Sequence, residues 1–402
     1  MTTKVKVLVV LLFGLVGVWF GYTTYTYFTC KELPVISVSG VSENGSCKNA
    51  LQCNVDIQAG YKPAEIYLLL DGQKIDVLMP KYIGKKTSRV SFPLDTKLLK
   101  NGQHEFEVKV KDGSYNSNEA SKKFNFNVDN TQLTAALLKA DYKVEQGRTA
   151  HILVNSSKKI GKSFIKFMSK SYEIFSQIED SNIYECFVPV DCDLSTGNYS
   201  FIAEIEDLVG NIVKLSGNIE VLPAEFKRQV GFVVAKQKLT EEKEAGVNNK
   251  ILEDILAKAI LESPKIKNWT GKFELPVDVQ RIATPFGEVR VTVEKGKYVH
   301  KAVDLINFPK SVVWASQDGK VIVKDRFEFS GNTVVLDHGC GIFTLYFHLD
   351  DFADISVGDV LKKGNPLGKL GKTGYATGYH LHWELRVNNL PVDPMQWVDR
   401  NF

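Results

Sequence analysis

One pattern of twelve residues occurs twice in this chain. NGQHEFEVKVKD at 101–112 is matched by TGNYSFIAEIED at 196–207, at a constant shift of 95 residues. Gly102 falls on Gly197, Phe106 on Phe201, Val110 on Ile205 and Asp112 on Asp207. The same region, from about residue 33 to 223, carries runs in which apolar and polar residues alternate. Examples are CNVDI (53–57), RVSFPL (89–94), EFEVKV (105–110) and KFNFNV (123–128), with turn residues between them. Period-two alternation belongs to strands with one buried and one wet face. A helical fold is thereby excluded for half the chain.

A repeat of about 95 residues is close to one immunoglobulin-like module. Two tandem β-sandwiches are expected, at 33–128 and 129–224. Such modules serve as spacers or docking surfaces for envelope proteins, and the fold by itself names no ligand. After them, VNNKILEDILAKAILESP (247–264) has apolar residues at helical spacing. Asn248 or Asn249 would cap it and Pro264 would end it. A linker with this amphipathic helix is assigned to 225–268.

The N-terminus reads differently. Lys4 and Lys6 precede 24 uncharged residues, Val7 to Cys30. At a helical rise these span roughly 36 Å, enough for a hydrocarbon layer. Trp19, Tyr22, Tyr25 and Tyr27 gather at one end like an interfacial belt. The expectation is a cytoplasmic stub and signal-anchor transmembrane helix over 1–32. The protein would be single-pass in the inner membrane, its bulk in the periplasm or outside the cell. A cleaved signal peptide is disfavoured because no small-x-small site follows the run. Two cysteine pairs of equal separation, Cys47 with Cys53 and Cys186 with Cys192, suggest short disulfides in an oxidising compartment. The alternative is buried thiols. A formal charge of +3 with no basic tract gives no reason to expect nucleic acid.

Chemistry is concentrated near the C-terminus. Five of the seven histidines, His300, His338, His348, His380 and His382, lie within 83 residues. His380 and His382 are two apart, so on a strand both rings would face one side, about 7 Å apart along the chain. Such a pair suits a metal or a proton-transfer site, or two hydrogen-bonded rings packed on a sheet. His300 and Asp304 form an H-x-x-x-D arrangement. Two imidazoles and a carboxylate make a three-ligand set for Zn²⁺ with one position open. No H-E-x-x-H is present, so no glutamate base of that type is expected. GKLGKTG (368–374) imitates a phosphate loop, but Pro366 stands where its first glycine belongs.

The stretch from Trp269 to about Trp397 resembles the lysostaphin-type, or LytM, zinc endopeptidases. The resemblance rests on TPFGEVR (284–290), HKAVDL (300–305), LDHGCGIFTLYFHL (336–349) and VGDVLKKGNPLGKLGKTGYATGYHLHWEL (357–385). It covers about a third of the chain. It implies a mostly antiparallel sheet domain with a groove, at 269–402. It implies that His300, Asp304 and His382 hold zinc, and that His380 and His348 are the catalytic, unligated histidines beside the metal water. His380 is taken as general base, with His348 stabilising developing charge or protonating the leaving amine, and the two roles are exchangeable at the level of sequence. It implies attack of a metal-activated water on peptide cross-links of bacterial peptidoglycan, whose peptide stems would be the partner. Departures are Ala302 where glycine is usual, Tyr379 where proline is frequent, and Cys340 at a turn. His338 has no role in the family pattern. Some members have lost the metal and act by binding, so a non-catalytic scaffold or hydrolase activator is the alternative.

Overall fold

Strands make most of the regular structure, as the alternation requires. The computed structural model describes residues 3–75, 87–176, 181–230, 250–292 and 296–402. It divides into two compact units, Met1–Gln132 with Leu208–Asn211, and Leu133–Asp207 with Ile212–Phe402.

In the first unit a three-stranded sheet (Val35–Ser39, Ala50–Gln58, Thr87–Asp95) faces a five-stranded one built around Gly102–Asp112. One buried cluster joins them, with Val55, Ile57 and Val90 from one sheet and Leu68, Phe106 and Val108 from the other. The second unit contains the same kind of pair. Ile152, Val154 and Val188 meet Ile165, Phe201 and Ile205. The repeat is physical: Gly102–Asp112 and Gly197–Glu206 each pair antiparallel with the next long strand. Phe106 and Phe201 are both core residues, as are Val110 and Ile205. Gly102 and Gly197 both adopt positive φ at the strand start, a backbone that glycine permits at little cost.

The second unit also holds a ten-stranded sheet. Its spine runs Arg281–Thr284, Val303–Ile306, Leu381–Val387, Ile342–Phe352, Gly331–Asp337 and Gly319–Phe327, with antiparallel pairing along the spine. The second sandwich packs directly on this part of the chain. Phe187 shares a buried cluster with Trp269, Phe273, Trp397 and Phe402. The Gln396 side chain accepts from the Thr149 amide and donates to its carbonyl. A helix over 250–262 lays Leu252 and Leu256 on Val335, Phe343, Leu345 and Phe347. The expected Asn248 or Asn249 cap lies outside the described residues.

Two expectations are overturned. A helix does form at Thr3–Thr29, but no helix among the described residues is long and apolar enough to cross a membrane. The single-pass inner-membrane anchor is therefore withdrawn. Absence of charge is not apolarity: the unbroken apolar run, 7–20, is about 21 Å long against a hydrocarbon layer of roughly 30 Å. Beyond it come Thr23, Thr24, Thr26 and Thr29, whose hydroxyls bond back to helix carbonyls. The disulfides are also absent, since all six cysteines are free. Cys186 faces the sandwich core, while Cys192 belongs to a different cluster with Phe286 and Val303. Cys47 and Cys53 are buried thiols of one core. Equal spacing did not make the side chains meet in bonding geometry. Burial pushes the Cys53 thiol up to about 11 and that of Cys192 up to about 12.

Candidate metal centre

Asp304 and His382 sit directly opposite each other on neighbouring strands, so their side chains share a face. His382 Nδ1 lies 2.9 Å from Asp304 Oδ1. His300, just past the end of strand Gly296–Val299, brings Nε2 to 3.2 Å from the same oxygen. That contact is close but out of line: His300 Nε2 is buried and has no hydrogen-bond partner among the described residues. The three ligand atoms lie within 4.8 Å of one another. A buried nitrogen without a partner is costly unless something binds it. A nitrogen–oxygen–nitrogen set converging on one point fits a divalent metal ion with an open coordination position.

Electrostatics agree. Burial alone would raise the Asp304 carboxyl, but the imidazoles of His300 and His382 hold it far below the usual carboxylate range. Burial would lower His382, but carboxylates at both its nitrogens raise it to about 9. The site favours positive charge at this point.

The other two histidines arrive by different routes. His380 precedes the strand Leu381–Val387 and donates Nδ1–H to the Gly378 carbonyl at 2.9 Å. Its Nε2 is 3.7 Å from Asp304 Oδ1. His348 is on Ile342–Phe352, where Phe347 already faces the His382 side, stacked on that ring at 5.3 Å. Strict alternation would turn His348 away. A bulge prevents this: between the pairs Val334 with Tyr346 and Asn332 with Leu349, one strand advances two residues and the other three. His348 takes φ 61 there, and its ring centroid lies 4.9 Å from that of His380. Bulges re-aim side chains in this way. His348 donates Nδ1–H to the Thr373 carbonyl. With both Nδ1 positions occupied by carbonyls, the neutral rings keep lone pairs on Nε2. Burial, and then the neighbouring His382 and His380, push His348 down to about 3.

The glycine-rich run has its own explanation. Side chains at Gly368, Gly371 and Gly374 would collide with backbone at Asp351, Asp350 and Gly331. These glycines let the 368–374 segment lie against the bulged strand, and no phosphate role is needed. Ala302 is fully buried and is not among the positive-φ residues, so the departure from glycine costs no backbone strain.

His338 and Cys340 stay outside the cluster. His338 is buried, with Nδ1 on the Asp318 carbonyl at 2.6 Å and Nε2 on Thr344 Oγ1 at 2.8 Å. Cys340 is buried in the aromatic cluster beside Trp397. A second potential ligand group, Asp191, Cys192 and Asp193, has its charge met by Lys301 Nζ at 3.2 and 3.1 Å. Sequence reasoning missed Glu384 and Arg386. They continue the two-residue series from His380 and His382 on the same strand, and that parity was the available signal.

Comparison with known proteins supplies family names. Residues 298–394 match the model of Peptidase family M23. The DD-carboxypeptidase/endopeptidase Mpg of Neisseria meningitidis serogroup B is 36% identical over 135 residues, 33% of this chain and 31% of that protein. The peptidoglycan DD-endopeptidase ShyB of Vibrio cholerae is 36% identical over 124 residues, 30% of this chain and 29% of that protein. The chain thus spans about a third of the length of the curated relatives it matches. Among solved structures, the catalytic domain of the antimicrobial peptidase lysostaphin from Staphylococcus simulans matches at 24% identity and a TM-score of 0.25. The match covers 36% of this chain and 98% of that one.

Proposed function

We propose, from a C-terminal region (298–394) that belongs to peptidase family M23, that this chain is a zinc metalloendopeptidase hydrolysing peptide cross-links of bacterial peptidoglycan. The observation that carries the reading is the convergence of His300, Asp304 and His382 around a buried His300 nitrogen that faces Asp304 and has no hydrogen-bond partner among the described residues. Those three residues would hold the zinc. Once bound, the ion supplies Lewis-acid polarisation of the scissile carbonyl and lowers the pKa of water.

The chain's own residues do the rest. His380 offers an unprotonated Nε2 beside the ligand set and takes the proton of the attacking water. His348, held neutral by burial and its neighbours, accepts a hydrogen bond through Nε2 and orients the reactants. The fixed Nδ1–H bonds to the Gly378 and Thr373 carbonyls keep both rings from rotating out of position. The two carboxylates at the cluster, Asp304 and Glu384, are both engaged by His382, whereas glycoside hydrolysis needs a pair of carboxylic acids placed to flank the scissile bond, which supports amide over sugar cleavage.

The domain reading proposed alongside is two immunoglobulin-like modules, 33–128 and 129–224, a linker at 225–268, and the peptidase domain at 269–402. The sandwiches would serve as docking surfaces for envelope proteins.

The test is digestion of purified peptidoglycan by the zinc-loaded chain, with fragments weighed by mass spectrometry. Loss of cross-linked stem peptides, with a matching gain of uncross-linked ones on intact sugar chains, is expected. New reducing sugar ends would place the activity in another enzyme class. Zinc bound with no product released would favour a binding role.

A further inference from the structure

A side-chain relay joins the helix over 250–262 to the ligand His382. Glu253, one helical residue past Leu252, forms a two-pronged ion pair with Arg386: Nη1 to Oε2 at 2.8 Å and Nη2 to Oε1 at 2.9 Å. Arg386 Nε donates to Glu384 Oε2 at 2.7 Å. The other oxygen of Glu384 lies 3.3 Å from His382 Nε2. His382 uses its remaining nitrogen, Nδ1, toward Asp304.

Register explains why a helix can reach the site. His382, Glu384 and Arg386 share one face of their strand, and their cross-strand partners are Phe347, Leu345 and Phe343. Those three apolar residues form the bed on which Leu252 and Leu256 pack. Helix and ligand strand therefore meet on the same side of the sheet, and Glu253 falls at the end of the polar row. Glu384 and Arg386 are nearly buried, at 8% and 7% exposure. A guanidinium there needs carboxylates on both ends, and a bidentate partner fixes its plane as well as its charge.

We propose that Glu253, from outside the family-matched segment, is a positioning residue for the metal centre, acting through Arg386 and Glu384 on the orientation and tautomer of His382. A metal-bound imidazole commonly gives its second ring N–H to a carboxylate, and loss of that partner lowers metal affinity 10- to 100-fold. Here Glu384 is that carboxylate. Arg386 locks its rotamer, and Glu253 locks Arg386. Phe347, stacked on the His382 ring at an interplanar angle of 6°, holds the ring plane while Glu384 holds its edge.

The inference rests on the zinc reading above, and one set of measurements on the full chain separates them. Zinc affinity is measured by competition with a chromophoric chelator for the native chain, Glu253→Ala, Glu384→Gln and the double variant. The visible absorption of the cobalt-loaded protein is recorded alongside. Glu253→Ala is expected to bind zinc about 3- to 10-fold more weakly, with a shifted cobalt spectrum and a lower kcat at unchanged KM. In the Glu384→Gln background the Glu253→Ala change should have no further effect on affinity. Asp254→Ala, exposed on the same helix, is the control and should match the native chain. Zinc binding by the native chain with unchanged affinity in Glu253→Ala overturns the relay alone. Additive losses in the double variant also overturn it. No zinc binding by the native chain overturns both the relay and the reading on which it rests.

Discussion

His338 and His300 are both well-covered imidazoles just past the end of a strand, yet they have opposite surroundings. His338 has both nitrogens satisfied by neutral oxygens, and burial pushes it down to about 4. His300 has a buried Nε2 with no hydrogen-bond partner among the described residues, facing a carboxylate that also faces His382. Low exposure alone does not separate a packed histidine from a ligand. Completeness of hydrogen bonding does, because a group left unsatisfied in the interior costs on the order of 1–3 kcal/mol unless a ligand repays it.

The contrast breaks most visibly at the ligand set. His382→Ala should lose bound metal and activity together. His380→Ala should keep the metal and lose activity by a factor of roughly 10²–10⁴, the usual weight of a general base. Elemental analysis with a peptidoglycan assay decides this. Metal retained in His382→Ala and lost in His380→Ala would reverse the assignment of the pair.

The next effect concerns stability at His338. Its pKa is about 4 in the fold against about 6.5 in the unfolded chain. Between those values the unfolded chain binds the proton that the fold refuses. The stability contribution is complete above about pH 6.5 and falls as pH drops towards 4, by about 3 kcal/mol in all. Urea titrations of the native chain and His338→Gln should show their stability difference shifting by that order across this window, in favour of the variant at low pH. A constant difference would mean that His338 is solvated.

The smallest effect belongs to Lys301, adjacent to His300 and paired with Asp191 and Asp193. These groups are 35%, 37% and 53% exposed. Exposed pairs contribute about 0–1 kcal/mol and weaken with salt. Lys301→Met should shift unfolding by no more than that and leave zinc affinity unchanged. A loss of affinity would show that the 191–193 loop of the second sandwich also steers the metal site.

Much of the fold was legible because it is local. Period-two alternation specifies strands, and the 95-residue repeat maps onto two equivalent strands with equivalent buried residues. The spacing of His380 and His382 put both on one face, and the same parity extends to Glu384 and Arg386. His300 and Asp304, in HKAVDL (300–305), and His382 are assigned to one site through the resemblance of their segments to a known family rather than through periodicity.

What tertiary structure alone decided is set by pairing between distant segments. His348 reaches the cluster only because its strand gains a residue against Gly331–Asp337, and a bulge is a property of two strands together. Glu253 meets Arg386 across 133 residues of sequence through the packing of Leu252 and Leu256, whose helical spacing says that they are buried but not against what. The cysteine pairs had the spacing for disulfides and not the geometry, because separation along a chain does not set where side chains point. Sequence by itself determined which residues could share a face, since the strand period is built into each residue's backbone. Only the assembled sheet determined which faces meet, since that depends on register between segments that no local pattern relates.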